Sequence, residues 1–353
     1  MFNKFFKNKK ILITGHTGFK GTWLTTWLLK LGADVCGFSL EPNTNPSMFE
    51  KLKLKEKINH NIGDIRDIEQ IEKVVKDFKP EIVFHLAAQP LVRLSYEEPK
   101  LTYETNVMGT LNLFEAIKKV DSVKTIINIT TDKCYENKEW VWGYRENEPM
   151  GGYDPYSSSK GCVELLSSSY RRSFFEERNI NLSTVRAGNV IGGGDWAKDR
   201  LLPDIIRSIS EDKEIIIRSP KATRPWQHVL EPLSGYMLLA KETFENNKNV
   251  GAWNFGPNDN DVLTVEQVLN IAIKNWGKGN YTVENNNKNP HEAMLLKLDI
   301  SKAKHYLKWN PTYNAEKAIE KTINWYKNYY ENNKDMYEYT IKQIEEFEKE
   351  SEV

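Results

Sequence analysis

Cysteine is nearly absent. Of 353 residues only Cys36, Cys134 and Cys162 carry a thiol, an odd number without CxxC spacing, which indicates neither a disulfide framework nor a zinc site. Net charge is missing too: lysine plus arginine number 49 and aspartate plus glutamate number 49. The chain therefore lacks the overall basic field that nucleic-acid binding draws on, and any anionic ligand must be held by local geometry. Long apolar runs are also lacking. After a basic start, Ile11, Leu12 and Ile13 give way at once to Thr14 and Gly15, too short for a signal-peptide core or a membrane span, so a cytoplasmic protein with no membrane partner is expected. Arginine is scarce, with 11 against 38 lysines, and every one falls between Arg66 and Arg224. In so lysine-rich a chain, arginine marks candidate places for a planar, bidentate donor. What the chain does have is core-forming material: 39% of its residues are hydrophobic, with 10 Trp, 16 Tyr and 14 Phe. That excludes a disordered protein and suits two domains, or one enlarged α/β unit with an appended lobe.

From residue 10 to residue 130, short β-rich runs (KILIT, DVCGFSL, EIVFHLAA, KTIINIT) alternate with longer helical stretches. Such alternation predicts a parallel sheet with crossover helices, and the continuous apolar character of the runs predicts helices on both faces. The expected fold class is α/β, a Rossmann-type doubly wound parallel sheet with a smaller C-terminal α/β substrate-binding lobe. The expected division is 1–185 for the dinucleotide-binding domain, with later segments crossing back into it, 186–330 for the lobe, and 331–353 for a charged helical tail. That tail shows no strong apolar stripe and is assigned no function.

Gly15, Gly18 and Gly21 directly follow the first strand and open the first long helix in TGHTGFKG. Glycine lets the turn tighten and lets a diphosphate approach the backbone, while the helix N-terminus offers free N–H groups and partial positive charge. A dinucleotide site is the reading. The second strand ends near Ser39 without the acidic residue that usually holds an adenosine ribose, so the residues leave NAD and NADP both open. Asp64, ending the third strand, reads either as an adenine-edge contact or as a cap for the helix that follows.

Tyr156 and Lys160 stand four apart at the start of a predicted helix in YDPYSSSKG, so both project from one face. A neighbouring ammonium stabilises a phenolate and would bring the tyrosine down toward the range of a usable base. Thr131, Asp132 and Lys133 close the strand KTIINIT, at the edge where a substrate sits in such folds. Cys134, beside them, reads as a small buried residue.

These motifs, together with RAGNVIGGGDWAKDR and RPWQHVLEPLSGY, resemble the NDP-sugar 4,6-dehydratases, extended short-chain dehydrogenases/reductases. TDKCYEN and RPWQHVLEP point to the branch acting on CDP-glucose. The resemblance runs from about residue 8 to about residue 330 and implies NAD as a retained cofactor that carries a hydride from C4 to C6 of a nucleotide sugar while water leaves. A 4-epimerase, or a dehydratase for another NDP-sugar, is the alternative. The implied catalytic residues are Thr131, Asp132, Lys133, Tyr156 and Lys160, with Lys133 where dTDP-glucose dehydratases carry a glutamate. Implied cofactor contacts come from Gly15, His16, Gly18, Phe19, Lys20, Gly21, Asp64, Ile65, Leu86, Ala87 and Ala88, besides Tyr156 and Lys160. Implied substrate contacts come from Gln89, Asn189, Arg200, Arg218 and Arg224, and Trp226 reads as a base-packing or a core residue. No metal is implied, and relatives of this kind associate as homodimers or homotetramers.

Overall fold

The computed structural model describes residues 2, 4–198, 200–217, 219–283, 295–331 and 335–351. The strands are β1 (Lys10–Thr14), β2 (Asp34–Ser39), β3 (Asn59–Ile62), β4 (Ile82–His85), β5 (Thr125–Ile129), β6 (Asn181–Ala187), β7 (Asn189–Ile191), β8 (Ile215–Ile217), β9 (Thr223–Arg224), β10 (Trp226–His228), β11 (Ala252–Phe255), β12 (Leu263–Thr264) and β13 (Tyr281–Val283). The α-helices are α1 (Phe19–Lys30), α2 (Met48–Lys51), α3 (Ile68–Phe78), α4 (Val92–Glu97), α5 (Pro99–Tyr103), α6 (Gly109–Lys118), α7 (Pro155–Tyr170), α8 (Leu201–Ser210), α9 (Leu230–Glu245), α10 (Val265–Trp276), α11 (Ala315–Glu331) and α12 (Met336–Glu350).

Alternate residues of β1 serve opposite faces of one sheet. Ile11 and Ile13 pack with Trp23 and Trp27 of α1, whereas Leu12 packs with Ile71 and Val75 of α3. A strand buried on both sides needs covering helices on both, which is why it reads as an unbroken apolar run. Seven parallel strands result, in the order β11-β6-β5-β4-β1-β2-β3. The chain reverses its direction of travel across the sheet between β1 and β4, opening a crevice at their carboxyl ends. The expected Rossmann-type fold class is thus the one observed. After β6 the chain builds three two-stranded pairs, β7 with β10, β8 with β13 and β9 with β12, beside α8 and α10, and returns β11 to the sheet edge.

The C-terminal segment differs from its sequence expectation. α12 does carry an apolar stripe: Met336, Ile344 and Phe347 are buried in the main core. Phe347 meets Trp27 edge-on at 5.7 Å, Trp27 donates its indole N–H to Glu348 at 2.7 Å, and Trp325 of α11 donates to Thr340 at 3.0 Å. The stripe escapes notice because it is narrow and set among Glu and Lys, while its partners lie far away in the chain.

Candidate active site

A cleft of about 1630 Å³ runs along the carboxyl edge of the sheet, from the glycine loop past Thr131–Lys133 to Asn189, Arg200 and Arg224. Two glycines are required by contact. A Cβ on Gly15, which has a φ of +76°, would lie 2.7 Å from the Ala87 backbone nitrogen, and one on Gly21 would lie 2.2 Å from the Gly15 carbonyl oxygen. The loop is therefore wedged between β4 and the first turn of α1. Gly18 begins α1 with no side-chain cap and no acidic residue in the first turn, leaving N–H groups and the positive helix end available to an anion. Phe19, Ile65, Leu86, Ala87 and Ala88 line the same space. A glycine cradle of this shape fits a dinucleotide diphosphate.

At the reaction end, Thr131, Asp132, Tyr156 and Lys160 are each less than one-tenth exposed. The turn after β5 presents Thr131 and Asp132, with Thr131 donating to the Asp132 carboxylate at 3.0 Å. Gly188 makes room for that carboxylate, since a Cβ there would stand 2.9 Å from Asp132 Oδ2. Burial pushes Asp132 above its ordinary range, against the opposing pull of Lys133, the Thr131 hydroxyl and Lys20. It is thereby biased toward the protonated form, the form that can donate a proton. Lys133 is half-buried and lines the cleft.

Tyr156 and Lys160 share one face of α7, as their spacing requires, but the electrostatics differ from expectation. Burial raises Tyr156 to about 12, a Thr131 hydrogen bond and the Arg200 charge working against it. Lys160 donates to the Ile129 carbonyl at 3.1 Å and is itself lowered to about 8, again chiefly by burial. In the protein alone, desolvation outweighs the ammonium's effect on the phenol. Lys20 is likewise lowered to about 8 by burial, then by Arg200 and Lys160, with Asp132 opposing. Cations thus crowd one region of an otherwise neutral chain, as an anionic ligand requires.

Several other expectations change in the folded chain. The His16 side chain is fully buried outside the cleft: its ring occupies the space over Gly37, Nε2 lies 2.8 Å from His60 Nδ1, and burial followed by His60 lowers it to about 3. Asp64 lines the cleft but does not cap the next helix. Asp67 does, accepting from Glu69 and Gln70 backbone N–H groups at 3.0 and 3.3 Å, while Asp64 holds Arg66 at 2.5 Å and is lowered by it. The Gln89 amide is spent within the protein, on Leu91 and Thr102. Asn189 lies on β7 opposite Trp226, and Arg200 pairs with Asp195 at 2.7 Å. Arg224 also faces the cleft, and Trp226 is buried in the core at its wall. Arg218 lies outside the described residues. Sequence reading missed the buried pair of Glu164 and Arg186, joined at 2.8 Å directly under this site. Its signal was available: Glu164 falls one helical turn after Lys160.

Comparison with known proteins agrees with this geometry. The family model described as GDP-mannose 4,6 dehydratase matches residues 12–322. CDP-glucose 4,6-dehydratase of Salmonella typhimurium is 53% identical over 329 residues, covering 92% of each chain. Among solved structures, dTDP-glucose 4,6-dehydratase from Bacillus anthracis in complex with NAD aligns with a TM-score of 0.75 at 22% identity, over 94% of this chain and 99% of that one. UDP-glucose 4-epimerase from Thermotoga maritima with UDP-glucose aligns with a TM-score of 0.77 at 24% identity, over 90% of this chain and 99% of that one.

Proposed function

Since the chain belongs to the GDP-mannose 4,6-dehydratase family, we propose that it converts CDP-D-glucose to CDP-4-dehydro-6-deoxy-D-glucose and water, an NAD-dependent hydro-lyase. One observation carries the dehydratase reading: a buried carboxyl, Asp132, biased toward its protonated form and set on the same turn as Thr131 beside Tyr156. A 4-epimerase needs a base at O4 but no acid at a leaving hydroxyl, whereas expulsion of water needs both. The CDP-glucose branch is supported by the 53% identity to the Salmonella typhimurium enzyme.

Bound NAD supplies the hydride acceptor for C4 and the hydride that C6 later receives. Thr131 orients O4 toward Tyr156, which takes the O4 proton as the hydride leaves C4, giving a ketone. The ketone acidifies the C5 hydrogen. Lys133 stands at the substrate edge and, entering this step as the free amine, takes that proton while Asp132 gives its own to the C6 hydroxyl; water leaves, and the C5–C6 double bond forms. Reprotonation at C5, with the hydride that the cofactor would return, would complete a cycle in which only water is lost. Lys160 holds the nicotinamide ribose side of the site, Lys20 and Arg200 add positive charge, and Asn189, Arg200, Arg218 and Arg224 bind the sugar diphosphate.

We further read the enzyme as a cytoplasmic homodimer or homotetramer. Cys36, Cys134 and Cys162 are all free, and exposed Leu165, with Met108 and Phe174, leaves apolar surface on and near α7 for association.

Purified protein given CDP-, dTDP-, GDP- and UDP-glucose should release one water from the CDP sugar fastest, read by product mass. With C4-deuterated CDP-glucose the label should appear in the new methyl group. A product of unchanged mass, or loss of the label to solvent, would refute the reading.

A further inference from the structure

We propose that Glu164, through its bond to Arg186, is a positioning residue of the reaction: the pair clamps both ends of the turn carrying Thr131 and Asp132 and fixes the register of α7 against it. The Glu164 carboxylate accepts from four donors. They are Thr130 Oγ1 at 2.5 Å, Thr184 Oγ1 at 2.7 Å, and Arg186 Nε and Nη2 at 2.8 Å each. Arg186 then reaches past the turn, donating through Nη1 to the Tyr135 hydroxyl at 2.5 Å and the Glu146 carbonyl at 3.0 Å. Tyr135 in turn donates to Asn254 of β11 at 2.8 Å. Thr130 immediately precedes Thr131, and Tyr135 immediately follows the turn's last residue, Cys134, so the turn is bracketed by two residues bonded into one ion pair. On α7 the ties are consecutive as well: Lys160 binds the Ile129 carbonyl and Glu164 binds Thr130.

Stability alone does not account for such a pair. Its side chains are only 3% and 4% exposed, and packing apolar groups in place of a buried ion pair is often neutral or stabilising. What the pair contributes is a unique geometry for groups on β5, β6 and α7. It also contributes charge. Glu164 draws Lys160 upward against the burial that lowers it. The other titratable groups facing Lys160 are Cys134 on the turn, His85 of β4 and Lys20 of α1. Arg186 faces Glu164, Glu146, Cys134, Tyr135 and Lys302. Removing the Glu164 charge alone therefore leaves Arg186, near Lys160, without its hydrogen-bonded carboxylate.

The proposal rests on the dehydratase reading, and two measurements separate their failures. Glu164→Gln keeps the side chain's shape; kcat per folded molecule should fall roughly 10- to 100-fold with KM changed less than about threefold, as when reacting groups lose fixed geometry. Competitive acetylation of Lys160, read by peptide mass spectrometry over roughly pH 6 to 10, should show its titration moving down by about one pH unit. In Glu164→Gln/Arg186→Gln the titration should return toward wild type while kcat stays low. Wild-type kcat with an unmoved Lys160 titration in Glu164→Gln, whatever its melting temperature, would overturn the proposal. If Glu164→Gln does not fold, Thr130→Val removes one donor and keeps the ion pair; kcat should drop several-fold at constant KM, and an unchanged kcat would overturn the proposal equally. An inactive wild type counts against the dehydratase reading, and the acetylation, which needs no substrate, still decides this one.

Discussion

The two ends of the cleft handle charge in opposite ways. At the reaction end, Thr131, Asp132, Tyr156 and Lys160 are buried, and each titratable group among them is displaced chiefly by loss of water. At the far end, Asp64 and Arg66 meet at 2.5 Å with side chains 25% and 40% exposed. In a dry environment every charge is felt by every other, whereas at a wet edge solvent and salt screen them. Substitutions at the first end should therefore change rate and pH dependence steeply. Those at the second should change cofactor affinity, and only mildly.

The steepest test is Tyr156→Phe, which removes one oxygen from the buried end. Loss of a general base costs about 10²- to 10⁴-fold in rate, so turnover of CDP-glucose should all but vanish while calorimetry still registers substrate binding. Near-normal turnover would mean that proton removal at O4 lies elsewhere. Asp132→Asn should be next, with water release slowed about 100-fold. Oxidation at C4 should survive in it, so mass analysis should find keto product that has kept its C6 oxygen; equal loss of both steps would deny Asp132 its separate role. pH offers a graded version of the same probe. Lys160, lowered to about 8, is charged below that value and neutral above it, so its hold on an anionic cofactor should weaken on the alkaline side, read as NAD affinity between about pH 7 and pH 9. A flat affinity across that range would disconnect this charge from the site. Gly188→Ala is gentler: its Cβ would press the Asp132 carboxylate at 2.9 Å, and a roughly tenfold loss in kcat is expected from displacing one reacting group.

What could be read from the chain beforehand follows the same division between local and distant causes. The sheet, the glycine cradle and the Tyr156–Lys160 face were legible because each depends on residues a few positions apart: a strand's period, a helix's turn, a glycine before a helix. The direction of the Tyr156 shift was not, since it depends on how completely β5, β6 and α7 shut out water. The direction of the His16 ring was not legible either, because it is drawn away by Gly37 of β2 and His60 of β3, neither adjacent in sequence. Asp64 was half legible. Its place at a strand end was visible, but the choice between cap and cleft turned on Asp67, three residues later, being the better-placed cap. α12 was misread for a related reason: its stripe acquires meaning only against Trp27 and Trp325. Among the described residues, the pair of Glu164 and Arg186 shows the limit of local reading, one partner being predictable from helix spacing and the other fixed by the neighbouring strand.

The mildest perturbation tests the wet end. Arg66→Ala frees Asp64, which the guanidinium now holds through both carboxylate oxygens. Exposed pairs of this kind contribute about 0–1 kcal/mol, so NAD binding by titration calorimetry should weaken by less than about fivefold, with kcat unchanged at saturating cofactor. Added salt should shrink even that difference, because the same ions that screen the pair in the wild type screen it before NAD arrives. A loss of 100-fold, or a fall in kcat, would mean that Asp64 and Arg66 are coupled to the buried groups. The contrast between a dry, strongly interacting end and a wet, weakly interacting one would then fail at the point where exposure most favours it.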